Sequence, residues 1–336
     1  MIAWVVGLIS GLISALLLRS LLTAGSSLLA RDDPNQRSLH REQTPRGGGL
    51  AIFIAVTAVT IVGGWSLEAE SWLIGVVLCV LGFALVGFVD DHRSLPVGIR
   101  MVLGFSLAAA LGIAGIATEH WILFDQLFLL PKLFVLVPIT LLLFWITNLF
   151  NFMDGSDGLI GIQVILVSLV LGLWFGLMGA PELAFVNFSV CGAVGGFLIF
   201  NWAPARVFLG DVGSLGLGAW VGAMGIVGAN RYGLPLEAFF ILIGYPLFDT
   251  SLTLVRRLVA GENILRAHRE HLYQRLILSG FSHRSVALIS GALTLILSSL
   301  ASYVLVSPGY GLWLLMIATG ILSAFAGWVY SRTAIV

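Results

Sequence analysis

The chain has 336 residues, of which 59% are hydrophobic and only 10% are charged, and its mean hydropathy is +1.03. Soluble domains are about 45–50% apolar and about 25% charged, so this composition excludes an ordinary soluble protein. The only two cysteines, Cys79 and Cys191, both fall in apolar stretches, which excludes a disulfide framework and a cysteine metal site. The composition predicts an all-α polytopic integral membrane protein.

A helix that crosses a hydrocarbon core about 30 Å thick needs roughly 20 apolar residues. In chain order, we expect about eleven transmembrane helices, at 2–22, 48–64, 71–89, 99–117, 132–150, 159–178, 183–201, 214–229, 237–256, 284–306 and 310–330. The apolar part of the first stretch is too long for a signal peptide, so we expect a retained helix. No internal repeat or soluble domain is evident, which predicts a single transmembrane catalytic domain over 1–336.

The basic residues are distributed unevenly between the two ends of the predicted spans. All but two of the 17 lie near the odd-numbered gaps or the C-terminus, and the exceptions are Lys132 and Arg231. By the positive-inside rule the odd gaps and the C-terminus are cytoplasmic and the N-terminus is periplasmic. The polar motifs fall in the same odd gaps, which predicts active-site loops on the cytoplasmic face at about 31–47, 90–98, 151–158, 202–213 and 257–283.

The third predicted span ends in two adjacent acids, Asp90 and Asp91. Carboxylates at a helix C-terminus oppose the helix dipole, which favours cations there. The pair therefore predicts a nearby cation and a functional role, although a solvated helix end is the simpler alternative.

The stretch NLFNFMDGSDGL follows the fifth apolar run and spaces Asn148, Asn151, Asp154 and Asp157 three residues apart. Neighbours in this series share a helix face. Ionisable groups beside lipid cost roughly 2.5–3.5 kcal/mol on insertion scales and indicate function. We expect these side chains to form an amide and carboxylate rim at the end of the span.

Asp211 stands alone among apolar residues and glycines in VFLGDVGS. Magnesium takes one or two protein ligands and completes its shell with water and substrate phosphates, so Asp211 with a nearby amide such as Asn151 is a candidate site. Manganese is an alternative to magnesium at this site. Phe208 is either a core residue or a stacking platform.

The ninth gap contains the motif HREHLYQRL, with His268, Arg269, His271 and Arg275. Histidine and arginine donors at this spacing suit phosphate oxygens. Arg256 and Arg257, earlier in the gap, are interpreted as topological residues near anionic lipid.

The motifs DDHRSLP, NLFNFMDGSDG, FNWAPARVFLGDVGS and HREHLYQRL, in this order, resemble the polyprenyl-phosphate N-acetylhexosamine-1-phosphate transferases of glycosyltransferase family 4. The resemblance implies transfer of a sugar phosphate from a UDP-N-acetylhexosamine to undecaprenyl phosphate, in the bacterial inner membrane. It also implies roles for residues at matching positions. Asp211 and Asn151 would be metal ligands, Asp90 would orient or deprotonate the lipid phosphate, and Asp91 would complete its acidic pair. Substrate-binding positions would include Asn148, Asp154, Asp157, Asn201, Phe208, Arg41 and Arg100.

The histidine motif departs from the three-histidine run of the peptidoglycan translocases, and it is similar to the branch that initiates O-antigen chains. The recognised sugar stays open among GlcNAc, GalNAc and 6-deoxy relatives. The partners expected are the two substrates and the bilayer, with no nucleic acid, and a homodimer is compatible with the sequence. An alternative function is transport of a nucleotide sugar or a lipid-linked sugar. A transporter site usually lies near the bilayer midplane, whereas these acids lie at span ends.

Overall fold

The computed structural model describes residues 2–32, 43–62, 71–115, 119–263, 266 and 268–333, and these form a helical bundle. The helices in the first half are α1 Ile2–Thr23, α2 Gly49–Val62, α3 Ser71–Arg93, α4 Val97–Gly115, α5 Lys132–Phe152 and α6 Leu159–Leu177. Those in the second half are α7 Pro181–Asn201, α8 Gly210–Arg231, α9 Leu236–Leu242, α10 Gly244–Val259, α11 Leu272–Leu278, α12 His283–Val306 and α13 Gly311–Thr333.

Each of the eleven predicted spans corresponds to helix, and within the described residues nine helices are long and apolar enough to cross a membrane. The prediction of a polytopic helical membrane protein is confirmed. Two of the spans differ from expectation. In the part of the second predicted span that the structure describes, the helix is the 14-residue α2. The ninth is broken into α9 and α10, whose axes meet at 80°.

The fold also contains two short antiparallel hairpins that the hydropathy pattern did not predict. β1 Ala30–Asp32 pairs with β2 Thr44–Arg46, and β3 His120–Leu123 pairs with β4 Gln126–Leu129. Strands of three or four residues are too short for a periodicity signal, so the sequence reads as loop at these points.

The centre of the bundle is α8, which packs against α3 and α5. Almost all of its residues are buried and many are glycine. A Cβ at Gly87 of α3 would overlap the backbone of α8 at Asp211, and a Cβ at Gly49 of α2 would overlap Gly213. Small residues allow such close approach in lipid, where dispersion contacts drive helix association.

Hydrogen bonds between buried side chains link several helices. Gln163 of α6 accepts from Thr294 of α12 at 2.7 Å, and Asn187 of α7 accepts from the Trp220 indole of α8 at 3.2 Å. Such bonds in membranes each contribute about 0.6–2 kcal/mol. They fix the helix arrangement that brings the polar segments to one end of the bundle.

Candidate active site

The site forms where the C-terminal end of α3 meets the N-terminal end of α8. Asp91, whose side chain is fully buried, accepts hydrogen bonds from the backbone N–H groups of Asp211 at 2.9 Å and Val212 at 3.1 Å. The first N–H groups of a helix have no partner within the helix, and their partial positive charge favours an acid. Asp91 therefore caps α8 and fixes the position of Asp211.

Two arginines accompany the acids. Arg46 donates through Nε to Asp91 at 2.8 Å, and Arg100 donates to Asp90 at 2.6 Å. Both guanidinium groups also face Asp211 Oδ2, at 3.8 Å and 3.9 Å. The cation expected beside the acidic pair at the end of α3 is thus supplied by these arginines and by the N-terminus of α8. The three acids and two arginines together leave one net negative charge.

The predicted boundaries of this region need correction. The loop expected at 90–98 is shorter, because α3 continues to Arg93 and α4 begins at Val97. Asp90 is held there by Arg100 and by the backbone N–H of Leu95, which donates to its Oδ1 at 2.6 Å. Asp211, expected in a loop before its span, lies in the first turn of α8.

Of the two asparagines in the predicted rim, only Asn151 contacts Asp211. Its Nδ2 donates to Asp211 Oδ1 at 2.9 Å and to the Ser214 hydroxyl at 3.0 Å, which joins the end of α5 to α8. Asn148 donates instead to the Phe144 carbonyl of its own helix at 2.7 Å.

Asp157 and Asn201 connect the loop at 153–158 to the segment at 202–209. Asp157 accepts from the backbone N–H of Ala205 at 3.0 Å. Asn201 accepts from the N–H of Gly158 at 2.9 Å and donates to the Val207 carbonyl at 2.9 Å. Both side chains are buried, so this geometry shows them holding two loops together. The loop at 153–158 also contains Asp154, which is half-buried.

Phe208 is half-buried and its backbone joins the glycine-rich segment of the first gap. Its N–H donates to the Pro45 carbonyl at 2.8 Å, and its carbonyl accepts from Gly48 at 2.9 Å. This pairing places Arg46 beside the acids. Sequence reasoning counted Arg46 only toward topology, although its position next to GGG was an available signal. Arg41, the basic residue predicted to bind substrate, lies outside the described residues.

The histidine motif surrounds the start of α11. Asp249, fully buried in α10, accepts from the N–H groups of Leu272 at 2.8 Å and Tyr273 at 3.3 Å. The buried His271 has its Nδ1 3.4 Å from Asp249. Asp249 was left without a role by the sequence, and the structure shows that it holds the first turn of α11 against α10.

The same motif contacts the end of α5. The Tyr273 hydroxyl donates to the Phe152 carbonyl at 3.0 Å, and the His271 ring lies 6.3 Å from the Phe152 ring. The His268 ring lies 4.9 Å from the His271 ring. Burial, reinforced by the neighbouring His271 and Arg257, lowers the pKa of His268 to about 4. His268 is therefore neutral at physiological pH.

The arginines of the ninth gap have different surroundings. Arg269 is exposed, whereas Arg275 donates to the Glu270 carbonyl at 3.2 Å and stacks 4.9 Å from the Tyr330 ring of α13. Arg256 and Arg257, interpreted as topological, both form ion pairs with Glu270. Another contact that the sequence did not indicate is His283, whose Nδ1 lies 3.0 Å from the Ser156 hydroxyl.

The donors around Asp211 suit a magnesium ion that shares its shell with substrate. Asp211 is the most exposed of the three acids, at 21%, and its Oδ2 lies beyond hydrogen-bond distance from Arg46 and Arg100. Among the described residues no set of three or more His, Cys, Asp and Glu side chains forms a complete metal site. Magnesium commonly uses one or two carboxylates plus phosphates, so Asp211 fits. Asn151 turns its amide nitrogen toward Asp211, and its oxygen would coordinate only after rotation of the amide.

A polytopic helical bundle with acids, amides and arginines gathered at one set of helix ends defines a membrane protein with a polar site suited to phosphates. The family model described as Glycosyl transferase family 4 matches residues 73–229, which include Asp90, Asn151 and Asp211. The chain belongs to this family.

The relatives that the chain resembles are sugar-phosphate transferases by name. It is 30% identical to a probable undecaprenyl-phosphate N-acetylglucosaminyl 1-phosphate transferase of Bacillus subtilis, over 77% of this chain and 73% of the relative. It is 32% identical to a phospho-N-acetylmuramoyl-pentapeptide-transferase of Moorella thermoacetica, over 84% of this chain and 91% of the relative. It is 29% identical to a decaprenyl-phosphate N-acetylglucosaminephosphotransferase of Mycolicibacterium smegmatis, over 82% of this chain and 76% of the relative. The chain is thus a multi-pass membrane protein of an enzyme family with bacterial members.

Proposed function

We propose that this protein transfers an N-acetylhexosamine-1-phosphate from a UDP-sugar to undecaprenyl phosphate, releasing UMP. The observation that carries the proposal is the contact between Asn151 at the end of α5 and Asp211 at the start of α8, beside Asp90 and two arginines. Family membership supports the same reaction class, since two of the named relatives are transferases of undecaprenyl phosphate or decaprenyl phosphate by name.

In the proposed reaction, a phosphate oxygen of the lipid attacks the phosphorus that carries the sugar. The bond from that phosphorus to the oxygen bridging to the nucleoside phosphate breaks, and UMP leaves with that oxygen. Phosphoryl transfer needs positioning and charge neutralisation more than covalent protein chemistry. A phosphate monoester has a second pKa near 6, so the lipid phosphate is mostly dianionic at neutral pH. Asp90 would then position the lipid phosphate, with Arg100 beside it, and need not act as a strong base.

Charge neutralisation would come from groups that the fold already holds in place. Asp211, with Asn151, would hold Mg²⁺, which supplies Lewis-acid stabilisation to phosphate oxygens when bound. Arg46 and Arg100 point at the same carboxylate and would attract the phosphates. His268, Arg269 and His271 would bind the diphosphate from the side of α11. Asp154, Asn148 and Phe208 would line the nucleotide pocket.

The prenyl chain would lie against the broken ninth span. At the end of α10, Val255, Leu258 and Val259 are exposed apolar residues next to Arg256. Because α9 and α10 meet at 80°, α10 and its apolar surface do not continue along the axis of α9. An isoprenoid tail suits such an exposed apolar surface. The sugar and pathway are proposed from the histidine motif: a UDP-N-acetylhexosamine, at the first step of an O-antigen or related surface polysaccharide.

The experiment that tests the proposal is UMP release by purified protein in detergent. The assay contains undecaprenyl phosphate, Mg²⁺ and one of several UDP-N-acetylhexosamines, with EDTA in a parallel sample. We expect lipid-dependent release of UMP from one donor and its loss with EDTA, with recovery on added Mg²⁺ or Mn²⁺. If folded protein releases no UMP from any donor, the reaction is wrong, and flux of a nucleotide sugar or a lipid-linked sugar into proteoliposomes would test the transporter alternative.

A further inference from the structure

The histidine motif contains one acid, Glu270, which two arginines hold at once. Arg256 donates to its Oε2 and Arg257 to its Oε1, both from the last turn of α10. Each carboxylate oxygen thus has its own guanidinium partner. Charge-assisted bonds of this kind are the strong class of hydrogen bond and fix the geometry of both partners.

Burial makes this contact more than a surface ion pair. The Arg257 side chain is only 5% exposed, and Glu270 is 27% exposed. Arg257 also donates to the Asn263 carbonyl at 3.1 Å. A buried guanidinium that loses its acid partner keeps an uncompensated charge, which is costly. Arg257 therefore requires acids beside it in the folded protein, and it pairs with both Glu270 and the more exposed Glu262.

Glu270 is also fixed through its backbone, and its neighbours are the proposed phosphate ligands. Its carbonyl accepts from Arg275 of α11 at 3.2 Å. His271 follows it as the cap residue of α11, and the His268 ring lies 4.9 Å from the His271 ring. The carboxylate of Glu270 is thus held by α10, and its backbone carbonyl is held by α11. The segment 268–271 is therefore restrained by both helices.

We propose that Glu270 is a positioning residue for nucleotide-sugar binding. Its two ion pairs hold segment 268–271 so that His268 and His271 face the diphosphate together. They also neutralise Glu270, which as a free acid would repel phosphate, and they prevent Arg256 and Arg257 from binding phosphate away from Asp211. This inference rests on the proposed function, because it assigns the diphosphate of that reaction to the histidine pair.

The test compares Glu270→Gln with the control Glu262→Gln. Glu262 pairs with the same Arg257 at 2.7 Å, but it is 46% exposed and lies outside the histidine segment. We expect Glu270→Gln to raise KM for the UDP-sugar about tenfold, the effect of losing roughly 1.4 kcal/mol of binding. Its kcat should change much less, and Glu262→Gln should behave as the wild type. Unchanged KM, or a fall in kcat alone, would overturn the proposal.

A second measurement separates this inference from the proposed reaction. Hydrogen–deuterium exchange of residues 268–271, without substrate, should be faster in Glu270→Gln than in the wild type and unaffected in Glu262→Gln. Equal exchange in all three proteins would show that the ion pairs do not hold the segment. If the wild type releases no UMP, the proposed function fails. The exchange result still decides whether the two ion pairs of Glu270 hold the segment 268–271. If Glu270→Gln does not fold, Arg256→Gln removes one ion pair from the more exposed side and should show the same changes more weakly.

Discussion

Asp91 and Asp249 show how single buried acids organise this site. Each lies in one helix and accepts hydrogen bonds from the first turn of another, Asp91 at the start of α8 and Asp249 at the start of α11. Both acids were visible in the sequence, yet adjacency to Asp90 suggested a chemical role for Asp91. The structure shows that the more accessible acid, Asp211, depends on the buried Asp91 for its position.

Replacing the capping acid should destabilise the fold. We expect Asp91→Ala to lower the free energy of unfolding by about 2 kcal/mol or more, because it removes a helix cap and the partner of Arg46. Thermal unfolding in detergent measures this loss. Glu182→Ala, which removes an exposed acid from the first turn of α7, is the control and should have little effect. An Asp91→Ala protein of normal stability without activity would instead assign Asp91 to the chemistry.

Asp211 should behave in the opposite way. Asp211→Asn keeps the shape of the side chain but removes the charge, so we expect UMP release to fall by about two orders of magnitude or more. The protein should still fold and insert, because the helix cap on α8 uses the Asp211 backbone rather than its side chain. Glu119 is an exposed acid beside β3, far from Asp211 in the sequence, and the control variant Glu119→Gln should keep full activity. Full activity in Asp211→Asn would remove the metal assignment.

At the scale of elements, the packing of α1 against α7 depends on glycines spaced four residues apart. Gly7 and Gly11 of α1 face Gly192 and Gly196 of α7, and a Cβ at either α7 position would overlap the α1 backbone. This is the small-residue spacing that lets membrane helices approach closely. The sequence shows the glycines, but only the structure shows which helices they join.

A single methyl group should loosen this pair of helices. We expect Gly192→Ala to cost about 1–3 kcal/mol through overpacking, seen as a lower unfolding temperature in detergent. Gly195→Ala is a matched control in the same helix, since a Cβ at Gly195 would have no neighbour within 4 Å. Equal unfolding temperatures for the two variants would contradict the packing shown by the structure.

The histidine segment should make stability depend on pH. Burial lowers the pKa of His268 from 6.5 to about 4, so the unfolded chain binds this proton more readily than the folded protein. The stabilising effect is complete above pH about 6.5 and is lost as the pH falls toward 4. We expect acidification from pH 7.5 to 5 to lower the unfolding temperature of the wild type more than that of His268→Gln. Parallel pH curves would show that His268 is not protected from protonation.

At the scale of the whole molecule, the arginine distribution still predicts orientation. We expect the β3–β4 hairpin outside the cell membrane and the C-terminus in the cytoplasm. With Cys79 and Cys191 replaced by Ser, an impermeant maleimide should label Gln126→Cys in intact cells. Arg332→Cys should react only after permeabilisation, and both positions are exposed. The reverse labelling pattern would invert the topology and place the acidic site outside.

The sequence by itself determined that this protein lies in lipid, and it predicted that the polar motifs group at one end of the bundle. Composition is enough for the first, because a chain this apolar can satisfy its backbone in lipid only as helices or a closed barrel. Alternation of eleven spans predicts the second, because it would place every odd gap at one end of the bundle. The contacts among Arg46, Asp91, Asn151 and Asp211 agree with that grouping.

Only the tertiary structure decided which of these groups is accessible at the site and which holds the fold. Arg46 and Asp91 are 45 residues apart, and Asn151 and Asp211 are 60 apart, so no local pattern specifies their pairing. Exposure separates Asp211 from Asp91, and exposure depends on how closely α3 and α8 pack at Gly87. The ion pairs of Glu270 depend likewise on where α10 ends. Burial and partner choice arise from helix packing, and they determine the role of a charged side chain in lipid.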